Sequence, residues 1–478
     1  DKDPHPHPMD VGRALQMASG SGDLELLRML LAHGADVNAQ GPPEIGPRVK
    51  NGPISLGLFT PLNLGTAYGG VDGVKLLVDA GAKLDTPDVR GMTPLMLAIA
   101  TDRPDPRVVR FLVEKGASLT AKDRGGETAL DWARKYNKPA VLEALGLPPA
   151  KSPGAVMTPA GRKVPELRAA VNTSLALLQT KGDSFLAGGG CVACHAQNLA
   201  ALAVSAARTQ GFPVDEKIAK DQTDAARLFW VSQEQTLLQR IDPGGAAETL
   251  MYSLLQLALE KVPADRTTDS IIHNLASEQR ADGTWHHNAI ARPPVEDGDF
   301  TFTAFGIRLF KTYAPAGRQA EFAQRIDRAA RWLSAAKPIT TEDLNFQMLG
   351  LTWANRDQST RDVGLRKIRA NQRADGGWAQ TPELASDAYA TGETLYAMHE
   401  LGLPPTDEAY RRGIDFLLRT QHPDGSWHVV SRVAKFQPYF QSGFPHDHDQ
   451  WISAAGTAWA TAALIYAAPS AKTLASVR

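Results

Sequence analysis

The chain has 478 residues but only two cysteines, Cys191 and Cys194, three apart. It lacks a charge excess: 51 basic and 52 acidic residues leave a net charge of −1. That removes the electrostatic case for nucleic acid, which calls for a strongly basic face. It also lacks any apolar run near the roughly 18 residues that a membrane helix needs, so no span is expected. The chain opens DKDPHPHPMD, without a charged-then-apolar leader. This suits a cytosolic protein or a mature form whose signal has been removed. His5 and His7 in that opening read as part of a frayed terminus rather than a metal site. With 43% hydrophobic and 22% charged residues, the composition is that of a globular protein of two or three domains.

What is present is repetition. TPLNLGTAYGG begins at Thr60 and TPLMLAIATDR at Thr93, a step of 33, and ETALDWARKYN puts Thr128 in the same place. Helix-like stretches ending in Gly-Ala accompany them: LELLRMLLAHGADVN, VKLLVDAGAKLD and VVRFLVEKGASLT. Gly34, Gly81 and Gly116 end these second helices, where the chain turns left-handed. Residues 9–147 thus resemble about four ankyrin repeats. The resemblance implies a solenoid that docks a protein partner, as against a structural pedestal. Residues 41–57, GPPEIGPRVKNGPISLG, interrupt the repeats and are the expected contact loop. Residues 148–163, with four prolines, read as a linker between an ankyrin domain (1–147) and a second domain (164–478).

The second domain repeats differently. NLASEQRADGTWHH, KIRANQRADGGWAQ and FLLRTQHPDGSWHV share one form. Gln279, Gln372 and Gln421 each precede a tryptophan by six residues: Trp285, Trp378 and Trp427. An Asp-Gly pair marks a tight turn in each, and the glutamine and tryptophan can clamp that turn onto a neighbouring helix. The fullest copy, RRGIDFLLRTQHPDGSW, carries Gly413, Phe416, Leu417, Gln421, Gly425 and Trp427 in the spacing of the squalene and oxidosqualene cyclase motif. This region therefore resembles the cyclase and prenyltransferase-β type of α-toroid. Steps of 93 and 49 residues between the Asp-Gly turns leave room for one repeat without the motif. Amphipathic outer segments alternate with inner segments that are apolar nearly all round. The inner ones begin near Ala196, Ala246, Phe300, Leu344, Ala388 and Ser453. The expected fold is all-α: an ankyrin solenoid followed by a closed (α/α)6 toroid.

Both cysteines lie in GGGCVACHAQN, in the outer-to-inner loop of the first hairpin. A thioredoxin-like dithiol needs a βαβ setting, which is absent. A structural zinc site needs about four ligands, and there is no second cysteine pair. The third reading is the C-x-x-C-H haem attachment motif of c-type cytochromes. Cys191 and Cys194 would form the thioethers and His195 the proximal iron bond of one covalent haem c. Gly188 to Gly190 would let the backbone pass close to the macrocycle. Because covalent attachment occurs outside the bacterial cytoplasm, the expected location is the periplasm or the cell surface, with the signal removed.

Closure of the ring brings the sixth hairpin beside the first. The loop of that hairpin, residues 428–452, offers His448 as the preferred sixth iron ligand and His446 as the second choice. Asp447 or Asp449 would orient the imidazole. His286, His287 and Met157 stand behind them. Met251, Met348 and Met398 read as core. His273, His399 and His422, with nothing beside them in sequence, read as structural.

EDGDFTFTAF (296–305) approaches the Asp-x-Asp-Asp of isoprenoid-protonating cyclases, with Asp297 and Asp299 present but Phe300 in the last acidic place. Asp299 and Asp387 suit instead the start of an inner helix as caps. Those cyclases use two barrels, protein prenyltransferases need a zinc cysteine, and complement-like toroids need Cys-Gly-Glu-Gln, so the resemblance supplies the fold alone. The expected function is a monohaem electron-transfer cytochrome docked by its ankyrin repeats to a redox protein or complex. The alternative is a haem enzyme or sensor acting on a ligand in the toroid cavity.

Overall fold

A computed structural model describes residues 8–44, 48–49, 52–148, 156, 158, 163–189, 197–241, 246–286, 292–356, 358–435 and 441–469. The regular elements among these residues are helices apart from one short hairpin, in which Arg48–Val49 pairs antiparallel with Gly52–Pro53 inside the 41–57 insertion. The chain divides into two compact units. Residues 1–153, 290–293 and 432–439 form the first, and the remainder forms the second.

Unit 1 is built from α1 (Pro8–Ser21), α2 (Leu24–Ala32), α3 (Pro61–Leu64), α4 (Gly70–Asp79), α5 (Pro94–Ile99), α6 (Pro106–Glu114), α7 (Ala129–Tyr136) and α8 (Pro139–Ala144). Thr60, Thr93 and Thr128 are the N-caps of α3, α5 and α7, each accepting a backbone N–H three residues on. Pro61 and Pro94 follow at the first helical position, where a missing N–H costs nothing. Gly34, Gly81 and Gly116 have φ of +83°, +93° and +94°. Neighbouring repeats are tied by backbone bonds between their turns, from Val89 N–H to the Gly57 carbonyl (3.0 Å) and from Arg124 N–H to the Arg90 carbonyl (2.9 Å). Leu27, Leu62, Leu77, Leu95, Leu112 and Trp132 belong to one continuous core.

Unit 2 contains α9 (Leu167–Gly189), α10 (Ala200–Gln210), α11 (Glu216–Val231), α12 (Glu234–Leu238), α13 (Ala246–Leu259), α14 (Arg266–Glu278), α15 (Asp299–Tyr313), α16 (Gln319–Ala335), α17 (Thr341–Trp353), α18 (Gln358–Ala370), α19 (Ala388–Glu400), α20 (Glu408–Thr420) and α21 (Gln450–Ala467). The inner helices α10, α13, α15, α17, α19 and α21 coincide with the apolar segments read from sequence. Each packs on the next, and α21 packs back on α10, so the contacts make a closed cycle.

The three Gln…Asp-Gly…Trp copies use one geometry. Each glutamine Nε2 donates to the glycine carbonyl of its own turn, at 2.9–3.1 Å for Gly283, Gly376 and Gly425. It also donates to a carbonyl on a different outer helix: Arg325 on α16, Ala409 on α20 and Ala170 on α9. Each tryptophan Nε1 donates back to its own outer helix, at Leu275, Ile368 and Leu417. The glycines have φ of +102°, +90° and +91°, and a Cβ at any of them would lie within 2.8 Å of the next outer helix. The third copy grips α9, 251 residues earlier in the chain, by the bond that elsewhere joins successive hairpins.

Candidate functional site

Cys191, Cys194 and His195 lie outside the described residues, as do Met157, His287, His5 and His7. The structure defines what flanks the cysteine motif. Helix α9 continues through Gly188 and Gly189, so these two glycines end a helix instead of belonging to the loop. After the motif, Gln197 and Asn198 are buried at the start of the next helical stretch, leading into α10. Asn198 is fully buried, and neither its Nδ2 nor its Oδ1 has a hydrogen-bond partner.

The loop between α20 and α21 holds a cluster of three imidazoles. His446, half-buried, stacks on His428 at 4.6 Å between ring centroids and meets His422 edge-on at 4.8 Å. His422, with no such neighbour in sequence, therefore has aromatic company in the fold. His399 has it too, stacked on Tyr466 at 3.8 Å. The backbone of His446 is left-handed (φ +78°), as is that of Asp447 (φ +46°), which turns the chain sharply into the short turn Asp447–Asp449 before α21.

His446 Nε2 lies 2.9 Å from the Ser426 hydroxyl. That hydroxyl spends its single proton on Asp424, at 2.6 Å. The imidazole must then donate through Nε2, leaving its lone pair on Nδ1. Burial, then the neighbouring His428 and His422, push the His446 pKa down to about 4, so the ring is neutral. Asp449, expected to orient His446 or His448, instead accepts from His428 Nε2 at 2.8 Å and from the Ser431 N–H at 3.0 Å. Burial alone would raise the Asp449 carboxyl, but these bonds outweigh it and lower its pKa. His448 is exposed on the Asp447–Asp449 turn. A second oriented imidazole is His286, whose Nδ1 is 3.0 Å from Asp299 Oδ2.

That contact revises the reading of Asp299. Gly298 is the N-cap of α15, and Asp299 is its first residue, placed to hold His286. Asp387 is the N-cap of α19, accepting the Ala390 N–H at 2.9 Å. Met251, Met348 and Met398 are core. Among the described residues no group of three or more His, Cys, Asp or Glu side chains is arranged to hold a metal ion. No described helix is long and apolar enough to cross a membrane.

Sequence reasoning missed two features. In unit 1, Arg432 Nη2 bonds Asp102 Oδ2 at 2.6 Å with both side chains almost fully buried, and its guanidinium sits 5.8 Å from the Tyr136 ring centroid. In unit 2, a polar network crosses the inner helices. Thr301 and Tyr389 both donate to Glu342, at 2.7 and 3.3 Å, and Asn345 Nδ2 donates to Glu393 Oε1 at 2.7 Å. No motif spacing announces either one, because the partners meet only through the tertiary fold.

Comparison with known sequences bears on unit 1. A three-copy ankyrin-repeat family model matches residues 48–151, and a single-repeat model matches residues 14–42. Residues 14–42 and 48–151 are ankyrin repeats. The human B-cell lymphoma 3 protein is 40% identical over 90 residues, which are 18% of this chain and 19% of that protein. The Drosophila melanogaster transient receptor potential cation channel subfamily A member 1 is 31% identical over 115 residues, 23% of this chain and 8% of the channel. An ankyrin repeat domain-containing protein SAT10 from Stachybotrys chartarum is 30% identical over 119 residues, 19% of this chain and 6% of that protein. The chain thus spans a fifth or less of the length of these curated relatives. Ankyrin repeats present surfaces for protein–protein contact.

Proposed function

We propose that the chain is a monohaem c-type cytochrome that transfers electrons at the bacterial periplasm or cell surface and docks to a redox protein or complex through its ankyrin repeats. The observation that carries this reading is CVACH, which contains every cysteine of the chain and lies two residues before Gln197, where a buried helical stretch begins. The closed cycle of inner helices supports reading unit 2 as an (α/α)6 toroid, in which the sixth hairpin borders the first.

The described residues fit a haem on two counts. A haem brings most of its iron's ligands in its own macrocycle, so holding it would require no cluster of three protein metal ligands. A fully buried Asn198 amide with both atoms unpartnered, three residues after His195, supplies a donor and an acceptor beside the motif. Cys191 and Cys194 would hold the group through thioethers and His195 would bind its iron. The haem supplies one-electron chemistry when bound.

His448 remains the preferred sixth ligand and His446 the second. With His446 Nε2 committed to Ser426, only Nδ1 of that ring keeps a lone pair. His448 is exposed on the short turn that leads into α21. Mass spectrometry of the denatured protein tests attachment: one retained haem is expected, and free alkylation of both cysteines without haem overturns the reading. Optical spectra with carbon monoxide separate electron transfer from the alternative of a haem enzyme or sensor. A closed, low-spin iron leaves the spectrum unchanged, whereas an open iron binds the gas.

A further inference from the structure

Glu393 lies on α19 with no exposed surface, deep among the inner helices. Among the described residues it accepts a hydrogen bond from Asn345 Nδ2 on α17, at 2.7 Å to Oε1. Asn345, also fully buried, donates from the same Nδ2 to Thr394 Oγ1 at 3.0 Å. Two acceptor atoms are then left over, Glu393 Oε2 and Asn345 Oδ1, both buried and both without a donor. They belong to the two groups that already touch. The charged and titratable groups around the pair add no cation. Helix α17 contributes Glu342 and Asp343, and α19 contributes Asp387 and Tyr389. Helices α20 and α21 also pack on α19; α21 carries no charged residue, and the buried titratable residue of α20 is Tyr410.

An ionised carboxylate in this place would be uncompensated, which proteins avoid by neutralising the group. A single proton resolves both vacant acceptors at once. Placed on Oε2, it makes a donor that can serve Asn345 Oδ1, while Asn345 Nδ2 continues to serve Oε1. We propose that Glu393 and Asn345 form a neutral, doubly hydrogen-bonded acid–amide pair, a proton-binding site that latches α17 to α19. The latch differs in kind from the haem reading and does not depend on it.

The pKa of Glu393 points the same way. Burial raises it from 4.5 to about 8; the Asn345 bond pulls it down, and Asp387 and Asp343 push it further up. Folded protein therefore keeps a proton that unfolded chain releases between these two values. The stability this contributes is complete below pH 4.5 and is lost as pH rises towards about 8.

The test compares the full chain with Glu393→Gln by chemical denaturation across the range from about pH 5 to about pH 9. Glutamine keeps a donor towards Asn345 Oδ1 but cannot ionise. The wild-type midpoint should fall with rising pH relative to the variant, and the wild type should show the infrared carbonyl stretch of a buried protonated carboxyl at neutral pH, absent from Glu393→Gln. Parallel pH profiles, or no such band in the wild type, overturn the proposal. Should the glutamine variant fail to fold, Asn345→Leu decides. Loss of the amide partner should move the same band to higher frequency, and an unmoved band overturns the pair.

Discussion

The two units hold their repeats together by different logic. In unit 1 each ankyrin turn bonds the turn beside it, as Val89 does to Gly57 and Arg124 to Arg90. Such stacks are nearly one-dimensional, and a defect stays local. In unit 2 the same device, a glutamine clamp, joins α14 to α16, α18 to α20, and finally α20 to α9. The last bond spans 251 residues, so breaking one grip opens a cycle rather than an end. Glycine shows the contrast most sharply. Gly116 (φ +94°) and Gly425 (φ +91°) have nearly the same backbone, yet a Cβ on Gly116 would meet nothing within 4 Å, while one on Gly425 would lie 2.8 Å from the Ser174 nitrogen.

The largest expected effect follows from that pair. Gly425→Ala combines left-handed strain with a backbone clash and should cost about 4 kcal/mol. Gly116→Ala carries the strain alone and should cost about 1 kcal/mol. Urea unfolding of the two full-length variants measures the difference, and equal losses would erase the distinction between open stack and closed cycle.

Unit 1 has one exception to its local rule. Arg432 reaches Asp102 across 330 residues of sequence, and both side chains are almost wholly buried. Removing one partner of a buried ion pair is costly, so Arg432→Ala should destabilise the repeats by about 3 kcal/mol. Hydrogen exchange should quicken in α5, which precedes Asp102, and in α7, which contains Tyr136. Unchanged protection there would mean that the ion pair contributes nothing beyond the desolvation it costs.

A smaller effect sharpens the role of closure. Gln279 and Gln421 make the same two bonds, but Gln421 is fully buried and Gln279 is not. With a net hydrogen bond near 1 kcal/mol and a penalty for stranded partners, Gln421→Ala should cost about 3 kcal/mol and Gln279→Ala about 1 to 2. The docking role is tested separately by excising residues 45–51 from the insertion, which should abolish co-purification of the native partner without changing the unfolding transition.

What the sequence makes legible is whatever lies within a few residues. Thr60, Thr93 and Thr128 announce caps, and Asp-Gly announces a turn, because cap and turn geometry is local. The clamp between glutamine and tryptophan was also readable, since both ends of it repeat at fixed spacing. Its partner on the far side was not: nothing in the sequence around Gln421 names Ala170, which is chosen by the register of two helices. The same holds for Asp449, whose nearness in sequence to His446 and His448 suggested an orienting role. The left-handed His446 and Asp447 turn the chain, and the carboxylate faces His428 instead. Glu393 and Asn345 were invisible for a related reason, since a polar residue in an apolar segment does not say which helix will face it.

The smallest effect on stability should come from the position with the largest expected effect on the proposed haem. His448 is exposed, so His448→Ala should shift unfolding by no more than about 0.5 kcal/mol. His446 is half-buried, stacked on His428 and bonded to Ser426, so His446→Ala should cost about 1 to 2 kcal/mol by stranding the Ser426–Asp424 pair. The spectrum should rank them in reverse. If His448 is the sixth ligand, its loss opens the iron, shifts the haem towards high spin and lets carbon monoxide bind, while His446→Ala leaves the haem bands in place. Stability and spectrum then separate the two imidazoles, one a structural member of the loop and the other a ligand. Should the spectrum instead follow His446, ligation would have to run through Nδ1, and the Ser426 hydroxyl would become the group that fixes the tautomer. An unmoved spectrum in both variants would turn attention to His286, the imidazole that Asp299 already holds by Nδ1 with Nε2 left to bind.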